Sequence, residues 1–156
     1  MNADVNVMID DKRFNFRVGA IIECENKVLL QKSKDLNFYR LPGGRVKIGE
    51  STLEAVKREL EEEIGLKETN YELNHISENF FNWQGNEVHE LYFMYKIKLN
   101  PSHPLFQKDE FPSDNPEEIN YWIDKEKIKD VYCLPTILNE VITKDSDILT
   151  SHIKVE

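Results

Sequence analysis

LPGGRVKIGESTLEAVKRELEEEIGL, residues 41–66, sets six glutamates between Glu50 and Glu63 just after a double glycine. The periodicity predicts a helix from about Ser51 to Ile64. Ser51 and Glu54 are spaced as a capping box, and Gly65 with Leu66 as a Schellman ending. At 100° per residue, Leu53, Val56, Leu60 and Ile64 fall within a sector of about 80°, the expected core face. Glu59, Glu62 and Glu63 fall in an adjoining sector of about 100°, with small Ala55 in its middle. Glu54–Arg58 and Lys57–Glu61 can pair at i,i+4, which leaves the other three acids clustered at the edge of the core. Carboxylates in such a place need protons, basic partners or a metal. Arg58, helped by Glu50, offsets part of the charge. Three oxygen donors on a rigid helix suit a hard cation such as Mg²⁺ or Mn²⁺, and a glycine carbonyl of Gly43-Gly44 offers another.

Outward from this helix the chain alternates strands and turns. Val5 to Ile9 and Phe14 to Val18 read as a hairpin around Asp10-Asp11-Lys12, and Val18–Glu23 with Lys27–Lys32 as a second around Glu25-Asn26. A loop from Ser33 to Phe38 leads into Leu41. Downstream, Tyr71–Ser77, Asn79–Trp83 and a long Glu87–Leu99 are strands, the last turning in after Gln84-Gly85-Asn86. Residues 101–116 carry four prolines and are expected to be a surface loop, long enough to be functional or mobile. Ile119–Ile123 is a short strand, Pro135–Thr143 a second helix, and the tail from about Lys144 is weakly patterned. With no repeat and no linker, the 156 residues are expected to make a single domain.

Composition narrows the function. The chain is 40% hydrophobic and 31% charged, with a formal charge of −9. That balance argues against a nucleic-acid polymer as partner, though not against a small anionic substrate bridged by divalent cations. No apolar run nears the roughly 18 residues of a membrane span, and no export signal is visible, so the expected location is cytoplasmic. Cys24 and Cys133 read as free thiols, and the four histidines lack zinc spacing.

The order of residues in the opening stretch resembles the Nudix box, G-x5-E-x7-R-E-U-x-E-E-x-G-U with U aliphatic. Here it reads Gly44, Glu50, Arg58-Glu59-Leu60, Glu62-Glu63 and Gly65-Leu66, every fixed position filled. "KVLLQKS" and "YRLPGG" upstream and "INYWIDKEKI" downstream resemble the flanks of the same family, over roughly Arg17 to Val141. The resemblance implies an α/β fold, the family's α/β/α sandwich around a mixed β-sheet. It also implies a metal-dependent hydrolase that breaks a pyrophosphate bond in a nucleoside diphosphate linked to another group. Position by position, Glu59, Glu62 and Glu63 correspond to metal ligands, joined by the Gly44 carbonyl, with Arg58 and Glu50 as an orienting pair. The general base is left among Glu63, Glu117, Glu118 and Glu90, with Glu110 and His89 behind them.

For substrate contacts, Arg40 and Arg45 flank the glycines and suit phosphates, with Tyr39 beside them. Phe80, Phe81 and Trp83 are placed to stack on a base, and Glu118 is counted among the substrate contacts. Markers of three family substrates are absent: Asn82 stands where ADP-ribose enzymes carry proline, Gln84 where dinucleoside polyphosphate enzymes carry tyrosine, and no coenzyme A pattern precedes Leu41. The competing reading is a non-catalytic nucleotide-binding or regulatory module on the same fold, which would carry a degraded box. The isomerase branch would need a thiol, and neither cysteine has a supporting motif. The expected protein is a monomer or homodimer acting on a small nucleotide-type substrate.

Overall fold

A computed structural model describes residues 2–144 and 149–156. Among them nine strands form one mixed sheet: β1 (Asn6–Ile9), β2 (Lys12–Cys24), β3 (Lys27–Ser33), β4 (Gly43–Arg45), β5 (Glu72–Trp83), β6 (Asn86–Lys98), β7 (Glu110–Pro112), β8 (Glu118–Asp124) and β9 (Thr150–Val155). The main path runs β7-β8-β3-β2-β6-β5-β9, with β1 and β4 each paired to β2. β2–β6 and β5–β9 are parallel, and the remaining pairs antiparallel.

Helix α1 (Thr52–Ile64) covers one face and α2 (Ile137–Lys144) the other. Alternation along β2 feeds both cores: Val18, Ala20 and Ile22 pack with Ala55, Val56 and Leu60 of α1, whereas Ile21 joins Leu138, Val141 and Ile142 of α2. The sandwich implied by the box motif is thus the observed one. No helix of the described residues is long and apolar enough to cross a membrane.

Several expectations need correction. The strands expected at 14–18 and 18–23 are one strand, because β6 pairs in parallel along twelve consecutive residues of β2 and leaves no place for a break. Tyr71–Ser77 and Asn79–Trp83 likewise merge into β5, with an irregularity between Leu73 and His75. Residues 101–116 are not a structureless loop: Pro104–Phe106 forms a 3-10 turn, β7 pairs with β8, and Leu105, Phe106 and Phe111 pack on the core. The Trp122 indole N–H donates to the Leu105 carbonyl at 2.8 Å, which ties the segment down. The tail contains β9, whose register on β5 brings His152 within 2.9 Å of buried His75, Nε2 to Nδ1. Residues 145–148 of that tail lie outside the described part of the chain.

Helix α1 starts and stops as its sequence predicts. Ser51 Oγ accepts from the Glu54 N–H at 3.1 Å, and Glu54 accepts from the Ser51 N–H at 2.8 Å. Gly65 closes the helix in the left-handed region at φ 69°, where a residue without Cβ carries no strain. Its rotation about the axis differs from expectation. Leu53 is 37% exposed while Ala55 is fully buried, so the inward face runs from Ala55 through Glu59 and Glu63 to Val56 and Leu60. Two of the glutamates therefore sit within the inward face and not beside it.

Candidate active site

Strand β4 and helix α1 meet because glycine lets them. A Cβ on Gly43 would fall 2.2 Å from the Val18 carbonyl oxygen, and one on Gly44 would fall 2.4 Å from the Glu59 carboxyl carbon. Any other residue at 44 would displace that carboxylate. The double glycine thus brings β4 against β2 and seats Glu59 on bare backbone.

Arg58 braces the arrangement. Its Nε and one terminal nitrogen donate to the two oxygens of Glu50 at 2.7 and 2.9 Å. The other terminal nitrogen donates to Glu59 at 2.9 Å and to Glu62 at 3.4 Å, and the Arg45 carbonyl accepts a further bond at 3.1 Å. These hydrogen bonds hold the Glu50 carboxyl below the usual carboxylate range, against the opposing effect of burial.

Glu63 has no such counter-ion. One of its oxygens is buried without a hydrogen-bond partner. Burial first, then the charges of Glu59 and Glu118, push its pKa up to about 8; the Gly43 N–H and the Gln31 side chain pull the other way. Burial also raises the pKa of Glu59, with Arg58 opposing. A carboxylate placed like Glu63 is compensated by a proton or by a cation.

The residues fit a hard divalent ion. Glu59 lies against Gly44 and Glu63 against the Gly43 N–H, all donors are oxygen, and one buried carboxylate oxygen has nothing to bind. Glu62 differs from its two neighbours: its side chain is 54% exposed and turned to Arg58. Among the described residues no three His, Cys, Asp or Glu side chains are already gathered as a cage.

The cradle opens into a cleft of about 660 Å³. Arg40, Arg45, Trp83 and Glu118 all line it, as expected from sequence. Arg40 is paired with Glu118, and its Nε donates to Gln31 at 3.3 Å. Of the other base candidates, Glu117 is exposed and does not line the cleft. Glu90 is 5% exposed and takes amide hydrogen bonds from Asn15 at 3.0 Å and Asn79 at 3.3 Å. His89 and Phe80 stack on each other, centroids 4.4 Å apart, outside the cleft, so neither meets it as supposed.

Sequence reasoning missed Phe38 and Tyr132. Phe38 meets both Trp83 and Tyr132 edge-on, with ring centroids 5.7 Å and 6.5 Å away. Tyr132 is 53% exposed and Trp83 39%, so both offer ring surface to the cleft. No local pattern joins positions so far apart. Arg13 and Arg17 were missed too, although their alternation with Asn15 on one strand was visible.

The NUDIX domain family model matches residues 13–140. An ADP-ribose pyrophosphatase of Methanocaldococcus jannaschii is 52% identical over 52 residues, covering 31% of this chain and 31% of that protein. An RNA pyrophosphohydrolase of Ruthia magnifica is 43% identical over 60 residues, covering 38% of this chain and 34% of that protein. The chain spans about a third of the length of these curated relatives. Among solved structures, the MutT protein of Bacillus halodurans shares the fold, with a TM-score of 0.66 and 24% identity over 88% of this chain and 89% of that one.

Proposed function

The chain belongs to the NUDIX family, and from that premise we propose that it hydrolyses a pyrophosphate bond in a nucleoside diphosphate linked to another group. Family members generally use divalent metals; here the ion is Mg²⁺ or Mn²⁺, and the protein works in the cytoplasm as a monomer or homodimer. One observation carries the reading: a buried glutamate with a free oxygen, set beside a second carboxylate on a glycine backbone at the head of an open cleft.

Glu59, Glu63 and the Gly44 carbonyl would hold the cation, with Glu62 at the rim as a further donor. When bound, the ion supplies charge neutralisation at the phosphate oxygens and activation of the attacking water. Arg58 keeps Glu59 and Glu50 in place. Arg40, oriented by Glu118 and Gln31, donates to a phosphate oxygen. Trp83 and Tyr132 offer ring faces to the nucleobase. Glu118 is the general base: water's oxygen bonds to phosphorus, the linkage P–O bond breaks, and one water proton passes to a Glu118 oxygen. Both protons of the consumed water leave finally with the two phosphate products.

Release of nucleoside monophosphate from a panel of nucleoside triphosphates, nucleotide sugars and ADP-ribose, with Mg²⁺ or Mn²⁺ and with chelator, tests the reading. Cleavage that requires metal is the expected result; equal rates in chelator would refute it. Glu118→Gln is expected to lower kcat by about 10²–10⁴-fold with Mn²⁺ affinity unchanged. Retention of activity within about threefold, well short of what loss of a general base costs, would move the base to Glu63.

A further inference from the structure

Arg17 of β2 and Arg45 of β4 are direct cross-strand partners. Side chains so placed lie about 5 Å apart at Cβ, and like charges there are destabilising. Arg13 lies on the same face of β2 as Arg17, with Asn15 between them. All three arginines line the cleft. In a chain of net charge −9, carboxylates to neutralise them are plentiful.

Yet two of the arginines are held by neutral amides. Arg13 donates to Asn6 Oδ1 at 2.8 Å and Arg45 to Asn15 Oδ1 at 3.1 Å. Among the described residues none of the three forms an ion pair within 4 Å. Asp4 and Glu90 line the same cleft, but Glu90 has both oxygens occupied by Asn15 and Asn79. Burial first, then the charges of Arg17 and Arg13, lower the pKa of Arg45, with Asp4 and Glu90 offsetting part of the effect. Amide partners orient guanidinium groups without cancelling their charge. Arg45 also directly follows Gly44, and its carbonyl is bound to Arg58, so the basic cluster adjoins the carboxylate cradle.

We infer that Arg13, Arg17 and Arg45 form a phosphate subsite beside the cradle that takes a phosphate beyond the bond being cleaved, which makes the substrate class a nucleoside 5′-triphosphate. A compound whose two phosphates both belong to the scissile linkage leaves this subsite empty. Planar guanidinium donors suit phosphate oxygens, and a lysine substitute loses the paired geometry. The inference rests on the hydrolase reading for its substrate, but the anion subsite is separable from it.

The test compares the parent with Arg17→Gln on a nucleoside triphosphate and on ADP-ribose, under saturating Mg²⁺. The parent favours the triphosphate in kcat/KM, and the variant's loss on the triphosphate exceeds its loss on ADP-ribose at least tenfold, mainly through KM. The Tm of the variant does not fall, since a like-charge pair is relieved, and Arg17→Lys recovers part of the affinity. Equal losses on both substrates, or none, would overturn the subsite while leaving the hydrolase reading intact. Binding of inorganic triphosphate in chelator gives an independent readout: the parent binds, and Arg17→Gln binds at least tenfold more weakly. If that result holds while no substrate is cleaved, the hydrolase reading fails and the subsite stands. Equal triphosphate binding by both proteins overturns the subsite whatever the activity.

Discussion

Glu63→Gln is expected to cut the hydrolytic rate by two to four orders of magnitude and, in the same protein, to raise the stability of the metal-free fold. Both effects come from one carboxylate. Loss of a charged donor to the cation removes several kcal/mol of transition-state stabilisation, at about 1.4 kcal/mol per tenfold in rate. The stability gain follows from the pKa, which folding raises from 4.5 to about 8. A carboxyl with a higher pKa folded than unfolded binds more protons in the folded state. Metal-free stability therefore falls as pH rises from about 4.5 towards 8. At pH 7 the burden is about 2–3 kcal/mol, allowing for partial solvent access. Glutamine has no charge to bury, and its carbonyl still accepts from the Gly43 N–H. Urea unfolding in chelator from pH 5 to 8.5 should show a falling curve for the parent and a flatter, higher one for the variant, converging in acid. Added Mn²⁺ should stabilise the parent and not the variant. A variant no more stable than the parent at pH 8 would contradict the burial of an uncompensated charge.

The position of Glu63 also shows where sequence reading reaches its limit. Caps at Ser51 and Gly65 and the filled box located α1, and the alternating strands of the central sheet were visible in outline. Local signals suffice for those features because their partners lie within a few residues. The rotation of α1 was misread, since a periodicity analysis puts apolar residues inward and sets Glu59 and Glu63 at the edge of the core, beside that face. What reverses this is Gly43-Gly44, which admits β4 so closely that the helix face meeting it is the acidic one. β9 was missed for a related reason. Its exposed positions include Ile153 and Val155, while His152 and Lys154 are half-buried, the opposite of the usual pattern. The two proline-bounded segments of 101–116 read as loop because proline suppresses strand signals, yet Leu105, Phe106 and Phe111 anchor the stretch on the core.

Site residues divide along the same line. The glutamates of the box are set by spacing along one helix, so the nearness of Glu59 and Glu63 was legible, whereas the turn of Glu62 outward to Arg58 was not. Those contributed by β2, β8 and the segment around Tyr132 meet only through long-range pairing: Gln31 lies opposite Asn120, and Tyr39 bridges to Cys133, next to Tyr132. Arg13 and Arg17 belong to this second group. Their relevance depends on Arg45 arriving opposite Arg17, a pairing the sequence separation of 28 residues does not advertise.

Arg58→Ala is the second large effect, and its pH dependence runs opposite to that of Glu63→Gln. The guanidinium is about one-fifth exposed and satisfies Glu50, Glu59 and the Arg45 carbonyl. Alanine leaves two half-buried carboxylates facing each other without a counter-charge, a loss of about 2–4 kcal/mol. Arg58→Lys restores the charge but not the forked donors, so it should recover only part of the difference. The Glu50 pKa lies below 4.5 when folded, chiefly through the Arg58 hydrogen bonds. Such a group contributes stability that is present above its unfolded pKa and lost as pH falls through the folded value. The deficit of Arg58→Ala should accordingly be full at pH 7 and shrink as pH falls below about 4.5, closing only below the lowered folded pKa of Glu50, where that carboxyl is neutral in both proteins. Activity falls with it, because Glu59 loses the contact that seats it on Gly44; the apparent affinity for Mn²⁺ should drop before kcat does. Double-mutant analysis with Glu50→Gln separates pairing from packing: a coupling energy near zero at pH 7, or an Arg58→Ala deficit independent of pH from 7 down to 4, would mean that the arginine acts through its aliphatic stem and does not orient the glutamates.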